Sequence, residues 1–425
     1  MPHRWPDKIM QINSVTDMRF LPTATRYPIE FAFLALLIVF LPAFEAPKNI
    51  FWATYVITWI VNRVRDKDFG GKWKTWDTLI ILWIASGYIV AAFAGLKHEE
   101  WLGAHDILRY GSIFWLVMRG RYDDAQLRWL LGAIILSTLL TLGMGFWQFY
   151  VSHTKNSLQL HSVGHVNHSA IYLAMVFGAA LCWLLAAWRT ASLALRVLLI
   201  AALGLITLAL FIAESRAAAG MALLLVLGVG FIWLPKSKTP LLVMTVAAIT
   251  LIGGSLFFNA RLIEKTRGAI KSNVTYAERP EIWNVAVEAW RQYPIFGVGM
   301  DNFGEIGKHL QSWVATHERP NYPKRYVAQA HGHSLYFNTL AERGAFGLSI
   351  LLAVLAYWAY CLVRRWPSKT DDDMCWLLWG GAFSAWFITV GVGTFNTTLH
   401  HEHAILAVLL LGFWLSHESR HILKA

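Results

Sequence analysis

Charge is what this sequence has least of. Only 15% of its 425 residues are Asp, Glu, Lys or Arg, against 56% hydrophobic residues. A soluble domain is normally about 45–50% apolar, so a soluble globular class is excluded. Cysteine is nearly absent too. Cys182, Cys361 and Cys375 form no CxxC pair and no disulfide framework. The chain also has no Walker loop, no GxSxG elbow and no DxD-type carboxylate pair positioned to hold a nucleotide-sugar metal. ATP hydrolysis, a serine-hydrolase site and a metal-held nucleotide sugar therefore have no recognisable seat. No cleavable leader is apparent, because the stretch to Tyr27 is polar and runs into a spanning segment.

What is present is a series of apolar runs, each long enough to cross about 30 Å of hydrocarbon. The pattern predicts an all-α, polytopic membrane protein with about twelve transmembrane helices. A barrel would show alternation over about 10 residues per strand. The expected organisation is a polar arm over 1–27, nine spans within 28–258, a long external loop over 259–333, three spans within 334–417 and a tail over 418–425. Span four, 106–118, reads as short; span nine is placed at 241–258 and span ten at 334–363. The net charge of +11 comes from 37 Lys and Arg against 26 Asp and Glu. Alternate connections carry the basic residues, which places those loops and both termini in the cytoplasm and leaves the long loop outside. Most of the positive excess is thus topological rather than a sign of nucleic acid.

The long loop has the composition of a folded segment. Pro280 suits the first turn of a helix, and Ile282, Trp283, Ala286, Val287 and Trp290 recur at helical spacing. A second helix is expected from Phe303 toward Thr316. Arg279 and Arg291 flank the first helix. Arg216, with Glu214 and Ser215, breaks two apolar spans, and a charge at such depth marks an ion pair or a site. A guanidinium there can grip phosphate oxygens.

His331 and His333 stand where this loop meets span ten. If Ser334 caps the helix, its positive dipole end favours a neutral imidazole at His333, able to accept a proton. His400, His401 and His403, with Glu402, read as an interfacial polar cap. His331 and His333 alone fall short of a metal signature.

The spacing His333-Ser334, nine residues, Gly344, two residues, Gly347 resembles the histidine motif of the lipopolysaccharide O-antigen ligase family, within a wider ligase–polymerase superfamily. GHVNHSA (164–170), SRAA (215–218) and RPEIWNVA leading to PIFGVGMDNF are also similar. The resemblance implies a bacterial inner-membrane glycosyltransferase with its active site facing the periplasm. It would move polysaccharide from undecaprenyl pyrophosphate to lipid A-core, with inversion and without metal, cofactor or nucleic acid. His333 would be general base, with Arg216 and Arg279 as the catalytic arginines. Arg291, the competitor for the loop arginine, and His331, Ser334, Asn167 and His168 would contact substrate. Many superfamily members carry Asn where this chain has Ser334. An O-antigen polymerase or a protein O-oligosaccharyltransferase would use the same donor, and a lipid-linked sugar flippase would need a similar set of spans.

Overall fold

The computed structural model describes residues 26–94, 99–213, 215–233, 274–317 and 326–422. The arm over 1–25, Glu214, span nine at 241–258 and the first part of the long loop lie outside the described residues. The regular structure among the described residues is entirely helical. The helices are α1 (Pro28–Phe40), α2 (Glu45–Asp66), α3 (Thr75–Ala94), α4 (Glu99–Met118), α5 (Asp124–Phe146), α6 (Val166–Ala186), α7 (Leu193–Ile212), α8 (Arg216–Trp233), α9 (Val274–Gln292), α10 (Phe303–His317), α11 (Leu335–Arg364), α12 (Asp373–Gly393) and α13 (His401–Ile422).

Seven of these, namely α3, α5, α6, α7, α8, α11 and α12, are long and apolar enough to cross a membrane. The chain is a multi-pass membrane protein. α1 is apolar but only 13 residues long, whereas α2 and α13 reach 22 residues and carry more polar groups. The fourth helix is not short: it starts at Glu99 and runs 20 residues. Its buried Arg109 is held by Asp106 at 2.5 Å and by Asn49 at 2.6 Å, which lets a charged turn belong to the helix.

α6 is the central element. Its spanning window is wholly buried, and it packs on α5, α7, α8, α12 and α13. Apolar surface alone gives helices little reason to associate in lipid; close contact between small residues does. A Cβ on Gly178 of α6 would lie 2.5 Å from Ser384 Cβ and 2.7 Å from Leu225 Cδ2. A Cβ on Gly380 of α12 would lie 2.7 Å from Cys182 Sγ. These missing side chains let α6 and α12 approach closely.

The connections sort to two ends. At one end Arg121 pairs with Asp68, Lys74 donates to Ser419, Arg420 pairs with Asp124, and Arg365 pairs with Glu418. The other end gathers the 151–167 loop, the starts of α2, α11 and α13, and the end of α12. There Ser162 N–H donates to Pro42 O and Leu335 N–H to Asn396 O. Lys48 of α2 forms a buried pair with Glu402 of α13. The basic connections thus collect opposite the histidines, as alternate-loop charge predicts.

α11 is one helix by hydropathy but two by geometry. Gly344 has φ 61° and ψ −165°, which breaks the helix. The groups released by the break are taken up by the segment after α9. Val298 N–H donates to Ala341 O and Gly299 N–H to Glu342 O. Ala345 N–H in turn donates to Pro294 O, and Phe346 N–H to Ile295 O. Gly344 and Gly297 permit this approach. A Cβ on Gly344 would meet Ile295 O and stand 2.7 Å from Gly297 N. One on Gly297 would stand 2.5 Å from Ala341 O.

Above the break the loop has its own core. Ile282, Val285, Ala286 and Ala289 of α9 pack with Val298, Phe303, Leu310 and Ala341, and the Trp283 ring stacks on Phe337 at 5.1 Å. Two sequence expectations need correction. α9 begins at Val274, so Pro280 lies inside it rather than in its first turn, where it forgoes one backbone hydrogen bond. Trp290 is not on the buried face: it is exposed, and Val285 and Ala289 occupy the stripe.

Candidate functional site

Four chain segments enclose a cavity of about 480 Å³ at the histidine end. Its wall includes Glu45, Ser162 to His165, Asn167, His168, Gln329 to His331, His333, Asn396, Thr397 and His401. This volume falls within the range of small-molecule sites, about 300–1,000 Å³.

The position of His333 follows from local rules. Ser334 caps α11, accepting from Phe337 N–H at 3.5 Å and donating to Gly393 O at 3.2 Å. That anchors the start of α11 to the end of α12. His333 itself is in the left-handed region at φ 45°, an uncommon state for a residue with a side chain. Asn338 supports the turn: it accepts from Gly332 N–H at 2.8 Å and donates to Glu342 at 2.9 Å. The histidine turn is thereby tied to the same helix segment that grips the long loop.

His168 enters from the first turn of α6, which His165 caps by accepting from Asn167 N–H at 3.2 Å. The rings of His165 and His168 stand 5.7 Å apart, and those of His331 and His400 stand 5.3 Å apart. Half-buried, His331 and His333 are pushed below the ordinary histidine pKa. Burial is the larger cause for both. For His333 the next cause is the charge of Arg279, followed by His331 and His165. At neutral pH His333 is therefore an uncharged imidazole able to accept a proton.

Of the residues singled out in the sequence, His333, His331, Asn167 and His168 share the cavity wall. Ser334 is buried directly behind it. Arg279 stands beside the site: its guanidinium carbon lies 5.7 Å from the Phe395 ring, and its charge acts on His333. Arg216 opens α8 as an exposed side chain and is not part of the cavity wall. Arg291 is also exposed, 3.6 Å from Glu288 in the last turn of α9. Between the two loop arginines, the geometry brings Arg279 to the histidines.

Sequence reasoning passed over His165, His401, Asn396, Thr397 and Glu45 as wall residues. Span parity offered a signal, since each of these positions falls at the same end of its predicted span as His333.

Residues 201–352 match the family model described as O-antigen ligase. This segment is similar to the O-antigen ligase/polymerase superfamily. The matched segment holds Arg216, Arg279, His333, Gly344 and Gly347, and so includes both the helix break and the histidine turn. The remaining cavity wall, from α6 and the α12–α13 connection, lies outside it. No curated protein matches the chain.

Proposed function

We propose that this protein is an inverting O-antigen ligase of the bacterial inner membrane. It transfers polysaccharide from undecaprenyl pyrophosphate to a hydroxyl of lipid A-core at the periplasmic face. The observation that carries the reading is a neutral, half-buried His333 on a cavity wall with Arg279 beside it. His333 accepts the proton of the acceptor hydroxyl as its oxygen attacks the anomeric carbon. The sugar–phosphate bond breaks on the opposite face, and the pyrophosphate leaves carrying the bonding pair. Arg279 stabilises the charge that grows on that leaving group, and Arg216 meets the phosphates from the start of α8. Asn167, His168, His331 and Ser334 orient the acceptor and the turn, with Arg291 at the periphery of the donor's path. The carrier's isoprenoid lies in membrane lipid. Collection of basic connections at the opposite end supports a periplasmic orientation for the cavity.

The test is transfer in proteoliposomes containing carrier-linked donor and lipid A-core. His333→Ala should lower the rate by about 10²–10⁴-fold, as loss of a general base does, while the protein stays folded. Product linkage should be inverted relative to donor. Wild-type transfer by the variant would remove the base, and retained configuration would reject single displacement. Growth of carrier-linked chains without lipid A-core would assign a polymerase instead.

A further inference from the structure

We propose that His168, His400 and His401 form a binding site for a borderline divalent cation of the Zn²⁺ class. One nitrogen from each imidazole lies within 4.8 Å of the other two. Tetrahedral zinc with bonds of about 2.0–2.1 Å needs its nitrogens roughly 3.3 Å apart, so closing the set requires them to draw together by about 1.5 Å at most.

Three features favour a ligand set over a chance gathering. First, neighbouring residues rarely aim two rings at one point, yet the His400 and His401 rings lie 3.8 Å apart. The backbone makes this possible by adopting left-handed conformations at Leu399, φ 54°, and His401, φ 48°. Second, His400 Nδ1 is buried and makes no hydrogen bond among the described residues. A buried polar atom without a partner is costly, and a metal ion would satisfy it. Third, nearby cations do not repel an ion without opposition. Lys48 is paired with Glu402 and with Glu45 at 3.1 Å, and Arg109 with Asp106 at 2.5 Å.

All three donors are imidazoles, which suit Zn²⁺, Co²⁺ or Ni²⁺ and not Mg²⁺ or Ca²⁺. His168 and His401 also line the cavity. A three-histidine site would leave a fourth position that water from that space can fill. Such an ion would tie the start of α6 to the start of α13. This inference stands apart from the transfer reading, because its test measures metal and not product.

The experiment uses full-length protein in detergent, with any affinity tag removed and metal stripped with chelator. Zn²⁺ titrated into it should bind at one equivalent per chain, with micromolar or tighter affinity. Co²⁺ should give the visible bands of a tetrahedral nitrogen site, which Zn²⁺ then bleaches. His400→Gln with His401→Gln should weaken Zn²⁺ binding by more than about 100-fold, beyond the about 10–100-fold that loss of an outer-shell partner costs, and abolish the Co²⁺ bands. The Co²⁺ measurement on unaltered protein decides the matter even if that variant fails to fold. Absence of stoichiometric uptake, octahedral Co²⁺ spectra, or unchanged affinity in a folded variant would overturn the site.

Discussion

Replacing Gly344 with alanine should release the long loop from α11 without touching a cavity-lining side chain. Two costs add. A non-glycine residue forced into the conformation at φ 61° and ψ −165° carries about 1–3 kcal/mol of strain. The new Cβ would also collide with Ile295 O and with Gly297 N, 2.7 Å away. Relief of that collision breaks the contacts of Val298 and Gly299 with Ala341 and Glu342, and those of Ala345 and Phe346 with Pro294 and Ile295. Four such bonds are worth about 2–6 kcal/mol net, at about 0.5–1.5 kcal/mol each. Even a loss of about 3 kcal/mol should raise amide exchange at 298, 299, 345 and 346 by on the order of 100-fold. Hydrogen exchange read by mass spectrometry measures this directly. Gly228→Ala is the control, since no atom lies within 4 Å of its Cβ position. Unchanged exchange in Gly344→Ala would refute the claim that the glycine exists to admit the loop.

Other expectations are equally concrete. Because His333 has a lowered pKa, its basic form persists below the ordinary value of about 6.5. The acid limb of kcat/KM for transfer should fall below that pH, and Arg279→Gln, by removing a positive neighbour, should move the limb upward; a downward or absent move counts against the pairing. Lys48→Met leaves Glu402 buried and uncompensated, which should cost about 3–5 kcal/mol. The Lys48→Met, Glu402→Gln pair should recover much of that loss in thermal unfolding. Asn338→Leu removes the acceptor of Gly332 N–H and the donor to Glu342; a loss of about 1–3 kcal/mol and a slower kcat should appear together. Gly178→Leu should destabilise by about 1–3 kcal/mol or more through overpacking against Ser384, checked by unfolding in detergent.

The all-helical class and the helices of the long loop were legible in the sequence because long apolar runs and 3.6-residue spacing state them locally. Ser334 as a cap was legible for the same reason. The break at Gly344 was not, since hydropathy runs on through it and only the glycine hinted at it. The extent of α4 was also hidden. Arg109 and Asp106 look like the edge of a span until Asn49 is brought beside them. The histidine cavity was legible only in part. His333 announced itself by motif spacing, but His168 and His401 are separated by more than two hundred residues and meet only because α6 and α13 start at the same end. Arg279 and Arg291 looked alike in sequence, and only the folded chain sets Arg279 beside His333 and Arg291 beside Glu288.

The docking of 294–299 onto the interrupted α11 has a consequence for how the long loop can move. Peeling that inner strand away would strip four main-chain partners at once. The segment is therefore a fixed footing for the long loop rather than a part that swings, and any movement of the loop must come from residues beyond Gly299.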